Sequence, residues 1–202
     1  DIIRAQEAWN ITTGSQDVVV AVIDAGIDYE HDDLKNKIYL NESEIPDNGI
    51  DDDGDGYIDN YLGWDFAGAD FENIVPDNDP LGKENNVAHG TWVAGAIAAE
   101  PNNEVGIAGV GYNTNYLALK CSSDNDTRDG GLGFLFSTLE AVVYAADQGA
   151  DVINMSYGGS TFSQFAQDVM IYAAIEKDVV LVASAGNSGV EQDRYPAAYE
   201  HV

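Results

Sequence analysis

The sequence predicts an α/β chain of three layers, built on a mostly parallel, doubly wound sheet with a buried helix at its centre. Three observations predict it. Val18-Val-Val-Ala-Val-Ile23 is an unbroken apolar run, and Tyr116–Leu119, Val152–Met155 and Val179–Ala183 form similar blocks. Continuous apolar runs of this length suit strands covered on both faces, as in a parallel sheet. Between the later blocks, apolar residues recur at helical spacing: Leu135, Leu139, Val142, Val143 and Ala146 before Gly149, then Phe165, Val169, Tyr172 and Ala173 before Asp178. Strands alternating with helices imply right-handed crossovers. Finally, Ala88-His-Gly-Thr-Trp-Val-Ala-Gly95 continues through Ala96-Ile-Ala-Ala99 as a helix of small apolar residues. A helix apolar on all sides belongs inside a protein, and this one is far too short to span a membrane.

The 202 residues suffice for one domain, 1–202, with a sizeable core. Eight basic against thirty-six acidic residues give a net charge of −28. That argues against nucleic acid and anionic membrane as partners, because both require Lys/Arg patches. It fits a solubilising acidic surface, cation binding or a salty environment. The apolar residues are clustered in regular blocks, which excludes disorder despite the charge. Between Asn41 and Asn86 there are fourteen acidic residues and one lysine, so this insert has a role of its own. The lone Cys121 excludes a disulfide framework and is expected to be a buried free thiol. No apolar leader with a basic flank opens the sequence, so Asp1 reads as a start made by processing or truncation.

In doubly wound folds the ligand lies beyond the carboxyl ends of the strands. Those ends are Asp24, Ser156-Tyr-Gly-Gly159 and Ser184-Ala-Gly-Asn187. Each alone is ordinary turn chemistry; together, with His89 at a helix start, they form a candidate site. A nucleotide site is disfavoured, because Asp24-Ala-Gly-Ile-Asp28 has one glycine and two carboxylates where a phosphate would need a glycine-rich turn.

The chain resembles the subtilisin-like serine proteases. The resemblance is carried in order by Val20-Ala-Val-Ile-Asp24-Ala-Gly-Ile-Asp28, His89-Gly-Thr-Trp-Val-Ala-Gly95, Asp151-Val-Ile-Asn-Met-Ser-Tyr-Gly-Gly159 and Ala183-Ser-Ala-Gly-Asn-Ser-Gly189. It implies that Asp24 orients His89, that His89 is the general base for a serine, and that Asn187 donates to the oxyanion. It further implies that Ser156, Tyr157 and Gly158 pair with an extended peptide or protein substrate. Ser184, Ala185 and Gly186 would then line the pocket for the side chain before the scissile bond. Tyr195-Pro196 resembles the segment closing that pocket, which puts Arg194 nearby and motivates an expected preference for acidic side chains. Trp92 stands where the family usually repeats histidine. The family's nucleophile segment, Gly-Thr-Ser-x-Ala, is absent, and Ser188 is not its substitute. The expectation is therefore an incomplete catalytic domain, with the serine beyond Val202 or on a separate polypeptide. By itself the chain is expected to be inactive, and the missing C-terminal part of its own domain is an expected partner.

Asp51-Asp-Asp-Gly-Asp-Gly-Tyr-Ile-Asp59 places Asp51, Asp53, Asp55 and Asp59 at positions 1, 3, 5 and 9 of an EF-hand-type loop, with Gly56 at position 6 and the Tyr57 carbonyl at 7. Leu62 occupies position 12, so a later oxygen such as Asp65 would have to complete the shell. The resemblance implies a second calcium site from Asp33, the Asn103 side chain, and the carbonyls of Val105 and Ile107. The reading is thus part of a secreted, calcium-stabilised serine endopeptidase. The alternatives are a non-catalytic protease-like scaffold and a calcium-dependent binding module.

Overall fold

The computed structural model describes residues 2–83, 87–126, 128 and 135–202; Asp1 and the end of the acidic insert, residues 84–86, lie outside them. Five parallel strands form the sheet: β1 (Val19–Asp24), β2 (Gly63–Asp65), β3 (Asn115–Lys120), β4 (Val152–Met155) and β5 (Val180–Ala183). Their spatial order is β2-β3-β1-β4-β5. Val20 of β1 lies between Tyr116 of β3 and Val152 of β4, and every residue of β1 is buried. That is why the sequence there is apolar without alternation. The four expected strands are present within one or two residues. The three-residue β2 was not foreseen, because it lies in the acidic insert and has no apolar run to announce it.

Helices cover both faces. Besides a short N-terminal α1 (Ala5–Trp9), the chain forms α2 (Val87–Ala98), α3 (Thr138–Asp147) and α4 (Gln164–Ile171), which runs on as a wider turn through Tyr172–Glu176. On one face, Ala94 and Ala98 of α2 pack with Val22, Ile27, Tyr116 and Ala118. On the other, Ala141, Val142 and Ala145 of α3 and Val169 and Met170 of α4 pack with Ala21, Ile23, Leu119, Ile153 and Met155. Alternate residues of β1 thus feed two cores, giving the three layers. Sequence chemistry sets the helix ends. The Ser163 hydroxyl accepts the Ala166 amide to cap α4, and Gly149 stops α3 at a φ of 77°.

α2 differs from its expectation in one respect: it is buried along one side only. Gly90, Ala94, Gly95 and Ala98 are buried, whereas Trp92 on the far side is 72 % exposed. Its small residues let it lie close against the sheet, and among the described residues nothing covers the opposite flank. No helix among the described residues is long and apolar enough to cross a membrane.

Candidate active site

β1 delivers Asp24 to the carboxyl edge of the sheet, where the side chain is almost fully buried. One carboxylate oxygen accepts the Ala25 amide at 2.8 Å. Both lie 2.9 Å from Nδ1 of His89, in the first turn of α2. The residue after the histidine makes this approach feasible. A Cβ on Gly90 would stand 2.2 Å from the Gly26 carbonyl oxygen and 3.1 Å from Cβ of Asp24. Thr91 then fastens the helix to the loop after β1, because its hydroxyl accepts the Asp28 amide at 2.9 Å and donates to the Val87 carbonyl at 2.6 Å. Three consecutive residues thus supply an imidazole, a close approach and an anchor.

The hydrogen bond to Asp24 raises the His89 pKa above the ordinary histidine value, with partial burial opposing it. With Nδ1–H donating to the carboxylate, Nε2 is the nitrogen left to exchange a proton, and the side chain is 42 % exposed. Beneath the pair, the Cys121 amide donates to the Asp24 carbonyl at 2.8 Å. Burial pushes the Cys121 thiol well above its usual pKa, as expected of a structural cysteine.

The ends of β4 and β5 form a second group. The Ser156 hydroxyl accepts from the Asn154 amide side chain at 2.9 Å. Ser184 ties the two strand ends together: its backbone N–H donates to the Met155 carbonyl and its hydroxyl to that of Tyr157, both at 3.2 Å. Gly186 adopts a φ of 85°. Gly159 and Tyr195 exchange backbone hydrogen bonds of 2.8 and 2.9 Å, and Nη2 of Arg194 donates to the Gly158 carbonyl at 3.1 Å. Ser156–Gly158, Ser184–Gly186 and Arg194 therefore form one connected wall. Asn187 is exposed on the loop after β5, with no hydrogen bond to the Asp24–His89 pair. The Ser188 hydroxyl accepts from the Gln192 side chain.

A family model for the subtilases matches residues 15–202. The chain belongs to the subtilase family. It is 37 % identical over 195 residues to a thermophilic serine proteinase of Bacillus sp. (strain AK1), covering 96 % of this chain and 39 % of that protein. It is 35 % identical over 200 residues to Nep of Natrialba magadii, a halolysin-like extracellular serine protease, covering 99 % of this chain and 31 % of the relative. Among solved structures it matches fervidolysin of Fervidobacterium pennivorans, a keratinolytic enzyme related to subtilisin. The TM-score is 0.67 and the identity 28 %, over 96 % of this chain and 25 % of that one. This subtilase sequence thus spans about a third of the curated relatives described here.

Subtilases commonly bind calcium, and two clusters of this subtilase bear on it. In the insert, carboxylate oxygens of Glu44, Asp51 and Asp53 lie within 4.8 Å of one another. Glu44 is 3 % exposed and holds the amides of Asp52, Asp53 and Asp59. Three converging carboxylates without a basic partner among the described residues fit a hard divalent cation. Asp55 and Asp59, expected on the same loop, are not part of this close group. Asp55 meets the side chains of Asn60 and Gln148, and Asp59 turns both oxygens to the amides of Asn48 and Gly49. The Tyr57 ring packs against Trp64, Phe66 and Tyr144, while the group expected as a ligand is its backbone carbonyl. Asp65 cannot complete the loop, because it is buried on β2 in an ion pair with Lys120 and accepts the amides of Ala67 and Gly68. In the second cluster, buried Asp33 accepts the Asn103 side-chain amide at 2.8 Å and the Ile107 amide at 2.9 Å, and Asn103 accepts the Val105 amide at 3.0 Å. Asp33, Asn103, Val105 and Ile107 are therefore joined by hydrogen bonds in which both Asp33 oxygens and the Asn103 amide oxygen accept N–H groups.

Sequence reasoning missed Glu44, Thr91 and Lys120. Glu44 lies seven residues ahead of the loop motif, and only its place in the acidic insert marks it. Thr91 is visible as the residue after His-Gly, but its anchoring partner Asp28 is remote in sequence. Lys120 is a cation at the end of an apolar strand, and that position is the sequence signal for a buried ion pair.

Proposed function

We propose that this chain is the Asp- and His-bearing part of a secreted, calcium-stabilised serine endopeptidase whose nucleophile lies outside residues 1–202. The observation that carries the reading is the double 2.9 Å approach of the Asp24 carboxylate to His89 Nδ1. Asp24 holds the imidazole in one tautomer and stabilises the imidazolium. His89 Nε2 takes the proton of the serine hydroxyl as its oxygen attacks the peptide carbonyl carbon, then returns it to the departing amine. The Asn187 amide donates to the oxyanion; in subtilisin, loss of the corresponding donor raises the barrier by about 2.7–4 kcal/mol. Ser156 to Gly158 pair with the extended substrate as an added strand. Ser184 to Gly186 line the pocket for the side chain before the scissile bond. Because Gly-Thr-Ser-x-Ala is absent, these residues alone supply two of three triad members and are inactive without the rest.

Calcium belongs to the same reading. Glu44, Asp51 and Asp53 would hold one ion, and Asp33 with Asn103, Val105 and Ile107 another. An ion there offsets the repulsion of converged carboxylates and braces the loops. Secretion is supported by the extracellular relative of Natrialba magadii and by the strongly acidic composition. The Glu44 cluster also favours a second reading, a calcium-dependent binding module without catalysis. A serine-directed fluorophosphonate applied to the full-length protein separates the two. Stoichiometric labelling that disappears in His89→Ala supports the protease. Absence of label, with calcium-dependent partner capture that survives His89→Ala, supports the module.

A further inference from the structure

Arg194 occupies an unusual position for a cation in this molecule. Of the eight basic side chains, six pair with a carboxylate: Arg4, Lys35, Lys83, Lys120, Arg128 and Lys177. Among the described residues Lys37 and Arg194 have no such partner, and Lys37 donates to the Tyr112 carbonyl. In a chain with thirty-six acidic residues, an arginine without a counter-ion among the described residues is held away from them by the fold. The guanidinium lies between the ends of β4 and β5. Its Nη2 donates to the Gly158 carbonyl at 3.1 Å. Its Nε would lie 3.3 Å from a Cβ on Gly186 and 3.7 Å from one on Gly158. A Cβ on Gly186 would thus sit tight against the guanidinium, whereas one on Gly158 would make only an ordinary contact. Nε itself is shielded from water and has no hydrogen-bond partner. Arg194 as a whole is only partly buried, so an anion can reach the rest of the guanidinium.

We infer that Arg194 is a specificity-determining residue that selects an acidic side chain, Glu or Asp, immediately before the scissile bond. This rests on the protease reading above and deepens it. Arginine's planar fork suits a carboxylate, offering two parallel N–H donors with charge. The same cation repels a Lys or Arg at that position and leaves an apolar side chain facing an unsatisfied donor.

The test separates binding from turnover. Acetylated tetrapeptide amides that differ only in a last residue of Glu, Gln, Phe or Lys are titrated into the full-length protein by calorimetry, with cleavage of matching longer peptides followed in parallel. The Glu peptide should bind roughly ten- to a hundredfold more tightly than its Gln isostere. That ratio should collapse in Arg194→Gln, which keeps a donor for Gly158 but no charge. In Arg194→Glu the preference should move to the Lys peptide. Unchanged melting curves show that the variants fold. Equal binding of Glu and Gln peptides by the wild type, or a Glu preference that persists in Arg194→Gln, overturns the inference. Selective binding without any cleavage upholds it and removes the protease reading instead.

Discussion

At the scale of single residues, His89 and Asp24 pull stability and chemistry in opposite directions along the pH axis. The hydrogen bond to Asp24 raises the folded pKa of His89 above its unfolded value of about 6.5. The stabilisation from the pair is therefore fully present below the unfolded pKa and is lost as pH rises through the raised folded value. A general base must be neutral, so proteolysis should grow over the same interval in which that stabilisation fades. Two outcomes are expected for Asp24→Asn in the full-length protein. The melting temperature should fall further below wild type at pH 5 than at pH 9, measured by scanning calorimetry. The turnover number should fall on the order of 10⁴-fold, the size seen when a triad loses this carboxylate, with the rising limb of the pH–rate profile shifted to lower pH. A melting difference that does not vary with pH would mean that the pair is not coupled to titration.

At the scale of elements, the central question is how α2 comes close enough to β1 for that pair to form. Gly90 answers it, since a side chain there meets the Gly26 carbonyl oxygen, which is backbone and cannot rotate aside. Gly90→Ala should force α2 off the sheet and cost about 1–3 kcal/mol by overpacking, while separating His89 from Asp24. Urea denaturation should show the loss, and the pH–rate profile should drift toward that of an isolated histidine. Gly95→Ala is the control, because its nearest neighbour is a side-chain methyl of Ile107 at 3.9 Å; it should be close to neutral. The same elements show what was legible in the sequence. Strands β1, β3, β4 and β5 were readable from their continuous apolar runs; burial on both faces explains the run in β1 and β3, whereas β5 leaves Val180 and Val182 exposed, and the strand ends marked the site by position alone. β2 was not, being three residues held by pairing with Ala118–Lys120 rather than by its own pattern. The one-sided burial of α2 was also hidden, since small residues suit close packing and solvent alike. The metal cluster was legible only in part. Loop spacing identifies Asp51 and Asp53, but the contribution of Glu44 depends on a chain reversal that no periodicity records.

At the scale of the whole molecule, the governing fact is a charge of −28 in 202 residues. With most of the few cations consumed in ion pairs, the remaining carboxylates are balanced by backbone amides and by whatever ions the medium supplies. In the insert, the loop amides of residues 54–56 converge on Asp51, and those of Asp52, Asp53 and Asp59 on Glu44. That arrangement fixes the carboxylates in place but leaves their mutual repulsion. A bound divalent ion would remove it, and by linkage the folded state would gain about 2.7 kcal/mol at a calcium concentration a hundredfold above Kd. For a chain of this size, that corresponds to a melting temperature lowered on the order of 5–10 °C by chelation. Added sodium chloride should recover part of the loss by screening, and magnesium little, because it demands a tighter octahedral shell. Glu44→Gln should reduce the effect of chelation by removing the insert's contribution, and Asp33→Asn the remainder, so that the double variant melts at one temperature with or without calcium. Equilibrium dialysis against calcium should show the corresponding stepwise loss of bound ions, independently of any proteolysis. A wild-type melting temperature indifferent to chelation would dismiss both sites and leave the acidic surface as a solvation device alone.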